Sequence, residues 1–120
     1  MENYEWMEKN GKKILYMRVA SKNIEELNTK IEEFREVITR QPEHSLLTIS
    51  DVTNGHFDKS MKGQLQTFVA ANEPYVKMSV IVGLQGLQKI VYDSVLRVTG
   101  RKNLVLKNSL EEALAFLSGQ

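Results

Sequence analysis

The first twenty positions alternate between apolar and polar residues, which predicts a β-hairpin. Asn10-Gly11 lies between the two alternating segments and suits a two-residue type I′ turn, because both turn positions need positive φ. One face of the two strands carries the following residues: Tyr4, Trp6 and Glu8, then Leu15, Met17 and Val19. The chain is therefore expected to begin with an antiparallel pair of strands.

Four later segments carry apolar residues at spacings of three and four, the period of an amphipathic helix. These segments span residues 24–38, 58–72, 84–98 and 110–117. Asn23 with Glu26, and Ser109 with Glu112, have the spacing of capping arrangements at the starts of the first and last helices. The segment 84–98 is apolar around more of its circumference than one core-facing stripe needs, which is typical of burial between layers or in an oligomer interface.

Short apolar runs between these helices predict three further strands. They are "SLLTIS" at 45–50, "VKMSVIV" at 76–82 and "NLVLK" at 103–107. The resulting order is β-β-α-β-α-β-α-β-α. Because alternating strands and helices form parallel sheets covered by helices, we expect a single α/β domain over residues 1–120, with a mostly parallel sheet and the N-terminal hairpin as an antiparallel edge.

Composition and charge narrow the classes of function. The 120 residues contain no cysteine, which excludes a cysteine nucleophile and a thiolate metal site. A net charge of +1 is too small to indicate a nucleic-acid partner. The first ten residues lack the pattern of a secretory signal, and no window approaches about 18 uninterrupted apolar residues, so we expect a cytoplasmic protein without a membrane span.

The stretch "SDVTNGHFDKSMKG", residues 50–63, gathers polar side chains where a predicted strand ends and a predicted helix begins. Ligands and partners of open α/β sheets collect at the carboxyl ends of the strands, so this loop is the candidate site. The candidate residues are Asp51, Thr53, His56, Asp58, Lys59 and Ser60. Asp58 is expected to cap the helix, and a phosphate on Ser60 would meet the free N–H groups and the positive dipole end of its first turn.

Motifs that would indicate catalysis are incomplete in this sequence. "GLQG" at 83–86 lacks the other residues of dinucleotide-binding and P-loop motifs, and no Gly-x-Ser-x-Gly elbow is present. His56 with Asp51 and Asp58 offers three metal ligands, but without a recognised metal spacing. His56, Asp58 and Ser60 are the residue types of a hydrolase triad, yet a triad is defined by mutual orientation and not by adjacency in sequence. We therefore expect no enzymatic activity, no metal and no cofactor.

The order of the elements resembles the STAS domain, the fold of the anti-sigma-factor antagonists. That family's signature is Asp-hydrophobic-Ser/Thr at a strand end, then Asp-Ser-Ser/Thr-Gly at a helix start; Asp51-Val52-Thr53 and Asp58-Lys59-Ser60 resemble its two parts. The resemblance implies phosphorylation of the serine that follows the helix-opening aspartate. Lys59 holds that place here, the glycine is missing and the spacing is one residue shorter. We expect the phospho-switch to be lost, with Ser60 as the remaining candidate for phosphorylation.

Two longer stretches, "NEPYVKMSVIVGLQGLQKIV" and "VTGRKNLVLKNSLEEALAFL", resemble a divergent STAS/SEC14-like branch of small bacterial proteins. The sequence thus predicts a non-enzymatic regulatory module that docks a partner protein through the 51–60 loop and the adjacent helices. By the resemblance, this partner would be an anti-sigma factor or a kinase-like regulator. The alternative, implied by the SEC14-like part of that resemblance, is a carrier or sensor of a small hydrophobic, lipid-like ligand. A homodimer is also expected, since symmetric dimers are common.

Overall fold

The computed structural model describes residues 3–55, 58–84 and 103–120. Within these ranges the chain forms a five-stranded sheet whose strands lie side by side in sequence order. The strands are β1 (Tyr4–Lys9), β2 (Lys12–Arg18), β3 (Leu46–Asp51), β4 (Val76–Val82) and β5 (Leu104–Lys107). β1 is antiparallel to β2, and every other neighbouring pair is parallel. The predicted α/β class, with a mostly parallel sheet and an antiparallel hairpin at one edge, is confirmed.

The hairpin turn has the backbone conformation that its sequence predicts. Asn10 has a φ of 52° and Gly11 a φ of 79°, so both turn residues occupy the left-handed region that a type I′ turn needs. The turn sets the register of β1 on β2, in which Trp6 lies opposite Leu15. β2 is an interior strand and is buried on both faces from Ile14 to Met17, while Trp6 on the edge strand is 44% exposed.

Three helices accompany the sheet in the described ranges. They are α1 (Ile24–Ile38), α2 (Lys59–Asn72) and α3 (Leu110–Ser118), with a short 3₁₀ turn at Glu73–Tyr75. Side-chain caps begin α1 and α3 as the sequence predicts, since the N–H of Glu26 donates to Asn23 Oδ1 at 2.9 Å and that of Glu112 donates to Ser109 Oγ at 3.1 Å. The helix predicted at 84–98 falls almost wholly outside the described residues.

The helices cover the two faces of the sheet unequally. α1 and α2 pack on one face through a core cluster that includes Leu27, Phe34, Met61 and Leu65. α3 packs on the opposite face, where its Ala113 and Leu117 join a second cluster of buried strand residues. The C-terminal end of α3 is held at the start of β2, because Lys12 Nζ donates to the main-chain oxygen of Gln120 at 2.6 Å. In the described residues, no helix has the length and apolar character that crossing a membrane requires.

Candidate functional site

The carboxyl ends of the parallel strands lie together at one end of the sheet, and the loop 51–55 starts there. In the strand register Arg18 at the end of β2 lies beside Asp51 at the end of β3, and Asp51 lies beside Val82 at the end of β4. The main-chain oxygen of Asp51 accepts hydrogen bonds from the N–H groups of Val19 at 2.9 Å and Ala20 at 3.1 Å. The chain that leaves β2 is thereby tied to the end of β3, and the two connections form one continuous surface.

The carboxylate of Asp51 is held by donors on both of its oxygens. The N–H of Thr53 donates to Oδ1 at 2.9 Å, and the hydroxyl of Tyr16 donates to Oδ2. Burial alone would raise the pKa of this carboxyl. Hydrogen bonds from Thr53 and Tyr16 favour its charged form and outweigh burial, so its pKa lies below the ordinary value. Asp51 is therefore a fixed carboxylate that organises the start of the loop.

The phenol of Tyr16 is the buried partner of this carboxylate. Burial, together with the hydrogen bond to Asp51 and the negative charge of that residue, raises the pKa of Tyr16 to about 12. The guanidinium of Arg18 lies 5.0 Å from the centre of the Tyr16 ring and donates to Glu5 Oε1 at 2.9 Å. Burial and Asp51 keep Tyr16 protonated as a hydrogen-bond donor, and the contacts with Tyr16 and Glu5 fix the planar group of Arg18 at the end of β2.

The main chain after Asp51 packs closely against two neighbouring connections. A Cβ atom added to Gly83, which has a φ of 89°, would lie 2.2 Å from Thr53 Oγ1 and 2.6 Å from the main-chain nitrogen of Thr53. A Cβ atom on Gly55 would lie 3.0 Å from the Cα of Ala20. Glycine at these two positions lets the loop approach the ends of β2 and β4, and Thr53 and Asn54 remain exposed on its outer side.

The N-terminus of α2 forms the second part of the site. Asp58 caps this helix, since its Oδ1 accepts from the N–H of Met61 at 3.2 Å and from the hydroxyl of Ser60 at 2.5 Å. Asp58, Lys59 and Ser60 are exposed, whereas Met61 is fully buried and anchors the first turn in the core. The helix start therefore presents one carboxylate, one ammonium group and one hydroxyl from a fixed backbone.

The structure divides the predicted site residues into two groups. Tyr16 belongs to the core cluster under α3, so the Asp51 carboxylate that it contacts lies towards that face of the sheet. Met61 and the rest of α2 belong to the cluster on the opposite face, and they carry Asp58 and Ser60. Thr53 joins the first group through its N–H, and His56 lies outside the described residues. The two halves of the candidate motif thus lie on opposite faces of the sheet, at the carboxyl ends of its parallel strands.

Sequence reasoning missed the three residues that build the first group, namely Tyr16, Arg18 and Gly83. The alternation of β2 contained part of the signal, because it places Tyr16 and Arg18 on the face opposite Leu15 and Met17. Their contact with Asp51 depends on the pairing of β2 with β3, which the linear pattern does not specify. Gly83 stood out in the sequence only as part of "GLQG", an incomplete phosphate-binding motif.

The chemistry of the first group is that of a structural anchor. Asp51 is a weak general base, because its pKa is lowered and both of its oxygens already accept hydrogen bonds. Tyr16 is also a poor general base near neutral pH, because its raised pKa keeps the phenol protonated. No group of three or more histidine, aspartate or glutamate side chains that could hold a metal ion occurs in residues 3–55, 58–84 and 103–120.

Comparison with known proteins found no family model, no curated protein and no solved structure that matches this chain. The assignment of a function therefore rests on the residues of the site and on the resemblance to the STAS domain.

Proposed function

We propose that this chain is a non-enzymatic interaction module that docks a partner protein through the 51–60 loop and the adjacent helices. The close packing of the loop carries the proposal. Thr53 lies against Gly83, Gly55 lies against Ala20, and the Asp51 carboxylate is fixed by donors on both oxygens. Residues 51–55 can bind with a small loss of conformational entropy, because their conformation is set before the partner arrives. The exposed side chains around them then provide the specific contacts.

The resemblance to the STAS domain supports a regulatory partner for this site. A β-hairpin that leads into parallel strands with helices on both faces agrees with the architecture that the resemblance implies. In that family the serine after the helix-opening aspartate is phosphorylated by a partner kinase. Here Asp51 and Asp58 hold the places of the two motif aspartates, so we propose an anti-sigma factor or a kinase-like regulator as the partner.

We propose further that docking does not need a phosphate at this site. Lys59 stands where the resemblance places the phosphorylated serine, and an ammonium group has no hydroxyl to modify. Ser60 has a hydroxyl, but that hydroxyl donates to the carboxylate of Asp58. A phosphate on Ser60 would lose this bond and would place two negative groups side by side, which offsets the attraction of the helix N-terminus.

The alternative function, transport or sensing of a hydrophobic ligand, has little support from the described residues. The cavity between the sheet and α2, beside Thr48, Asn72 and Ser79, has a volume of about 20 Å³. That is room for about one water molecule, whereas pockets for small organic ligands have about 300–1,000 Å³. The groove beside Trp6 has a volume of about 500 Å³, but charged and polar residues line much of it, namely Glu8, Lys13, Gln41 and Ser45. The apolar helix predicted at 84–98, which motivated this alternative, lies outside the described residues except for Leu84.

Site-specific photo-crosslinking in the native host tests the docking proposal. A photoreactive benzoylphenylalanine replaces Ser60 at the exposed start of α2, and a matched variant carries it at Glu43, an exposed position near the amino end of β3. We expect one protein to be captured at Ser60 and not at Glu43, and mass spectrometry of the adduct to identify it. Equal capture at both positions, or capture of none, would contradict docking through this loop.

A further inference from the structure

A second surface, along the edge strand β1, has the features of a self-association site. In the described residues β1 pairs with β2 on one side and has no neighbouring strand on the other. Unpaired edge strands offer a row of main-chain donors and acceptors to another strand, and proteins usually protect such edges. β1 carries the exposed charged residues Glu5, Glu8 and Lys9, but it also exposes Trp6 at 44% of its surface, next to a groove of about 500 Å³ that Trp6, Glu8 and Lys13 help to line.

The hydrogen bonds to β2 show which main-chain groups of β1 point outward. The N–H of Arg18 donates to the main-chain oxygen of Asn3 at 2.8 Å, so Asn3 is directed towards β2. Because direction alternates along an antiparallel strand, Glu5, Met7 and Lys9 are also directed towards β2. The outward N–H and C=O groups therefore belong to the even-numbered residues, Tyr4, Trp6 and Glu8.

This alternation limits how β1 can pair with a copy of itself. In a two-fold symmetric antiparallel pair, residues with outward groups must lie opposite one another. A two-fold axis through Met7 fulfils this condition, because Trp6 then lies opposite the partner's Glu8. An axis through Trp6 fulfils it as well, because Trp6 then lies opposite its own equivalent.

Charge distinguishes between these two registers. With the axis through Met7, Glu5 lies opposite the partner's Lys9, and symmetry repeats this pair of opposite charges. With the axis through Trp6, Glu5 lies opposite the partner's Met7, and neither ion pair forms. Opposite charges across antiparallel strands stabilise the pairing, so charge favours the first register, while the second register also pairs the outward groups of Tyr4 with the partner's Glu8.

We propose that two copies of this chain associate through β1, antiparallel, with the two-fold axis at Met7. The two sheets then form one continuous sheet, which removes an exposed edge from each chain. The two Trp6 side chains are diagonal neighbours across the axis, within reach of each other on the face that carries the groove. The dimer surface does not include the 51–60 loop, although its Glu5 also pairs with Arg18 beside Asp51.

A single cysteine at Met7 tests the register. The natural chain has no cysteine, so Met7→Cys introduces one thiol per copy. At the axis the two Cα atoms are about 4.5 Å apart, within the range of about 4.4–6.8 Å that a disulfide spans, whereas the Trp6 register separates them by about 7–8 Å. We expect mild oxidation to link Met7→Cys rapidly and Glu111→Cys, on exposed α3, slowly. Equal rates for the two variants would overturn the proposal.

Exchanging the charges tests the same register without a covalent link. Lys9→Glu alone, or Glu5→Lys alone, places like charges opposite one another, and we expect the dissociation constant of each homodimer to rise about tenfold. An equimolar mixture of the two variants pairs only opposite charges, so it should form a heterodimer as stable as the wild-type dimer. Glu5→Lys also removes the exposed ion pair with Arg18, and such pairs contribute little to folding.

Sedimentation over a micromolar-to-millimolar range gives the mass of each species. The proposal requires the wild-type protein to reach twice the mass of one chain. It also requires the mixture of the two charge variants to regain the dimerisation that each variant loses alone. A wild-type monomer throughout the range would overturn it, and so would charge variants that self-associate as strongly as wild type. Circular dichroism on every variant separates lost association from lost folding.

Discussion

Replacing Gly83 with alanine tests the close approach on which the 51–55 loop depends. The substitution adds one Cβ atom, which would lie 2.6 Å and 2.7 Å from the main-chain nitrogen and Cα of Thr53. Main-chain atoms cannot rotate away as a flexible side chain can, so the loop must shift. Gly83 also has a φ of 89°, which an alanine adopts at a cost.

The two effects together predict a large loss of stability. Positive φ costs an alanine about 1–2 kcal/mol. Inserting a methyl group into a closely packed position costs about 1–3 kcal/mol more. The free energy of unfolding should therefore fall by about 2–5 kcal/mol in Gly83→Ala. Thr53→Ala in the same background removes the contact of Oγ1 but also a side-chain hydrogen bond to Asp51, so it should recover at most a minor part of the loss.

Gly63→Ala is the matched control, because the same chemical change is expected to raise the free energy of unfolding at this position. Gly63 lies inside α2, and an added Cβ atom meets nothing within 4 Å. Alanine in an exposed helix interior is more favourable than glycine by about 0.5–1 kcal/mol. Urea unfolding of both variants, followed by circular dichroism, measures the two changes. A Gly83→Ala variant that unfolds within about 0.5 kcal/mol of wild type would refute the close approach.

Two further predictions concern the polar groups of the site. Tyr16→Phe removes a donor from the Asp51 carboxylate, so the Asp51 pKa should rise towards its ordinary value in a carbon-detected NMR titration; an unchanged pKa would refute the hydrogen bond. A lowered carboxyl pKa stabilises the fold above the unfolded-state pKa and ceases to do so as pH falls through the folded-state value, so Tyr16→Phe should unfold at a higher pH than wild type during acid titration. Asp58→Ala should lower the free energy of unfolding by about 0.5–2 kcal/mol through loss of the cap, and Ser60→Ala by less than about 0.5 kcal/mol. Equal losses in a denaturant titration would show that the Asp58 carboxylate does not cap α2.

The local features of this fold could be predicted from the sequence because each depends on residues that are close along the chain. The Asn10-Gly11 turn, the Asp58 cap and the Ser109 cap each involve at most four consecutive residues, and all three occur as predicted. The apolar runs at 46–49 and 76–82 likewise predict interior strands, since strands buried on both faces leave no room for polar alternation.

The arrangement of the site could not be predicted in the same way. Tyr16 and Asp51 are 35 positions apart, and their contact requires the register between β2 and β3. The close approach of Thr53 to Gly83 likewise requires β3 and β4 to end side by side. Parallel strands have no connecting turn that fixes their register, so these contacts appear only once the sheet is assembled.

The most direct test of the docking proposal is the affinity of the photo-captured partner for two matched lysine variants. Lys59→Glu reverses one charge at the start of α2. Lys77→Glu makes the same change at the amino end of β4, which is the end of the sheet away from the loop. Both lysines are exposed, so neither variant is expected to unfold. Isothermal titration calorimetry should show binding at least about tenfold weaker for Lys59→Glu, a change of about 1.4 kcal/mol, and nearly wild-type binding for Lys77→Glu. Equal affinities for the two variants would contradict docking through the 51–60 loop.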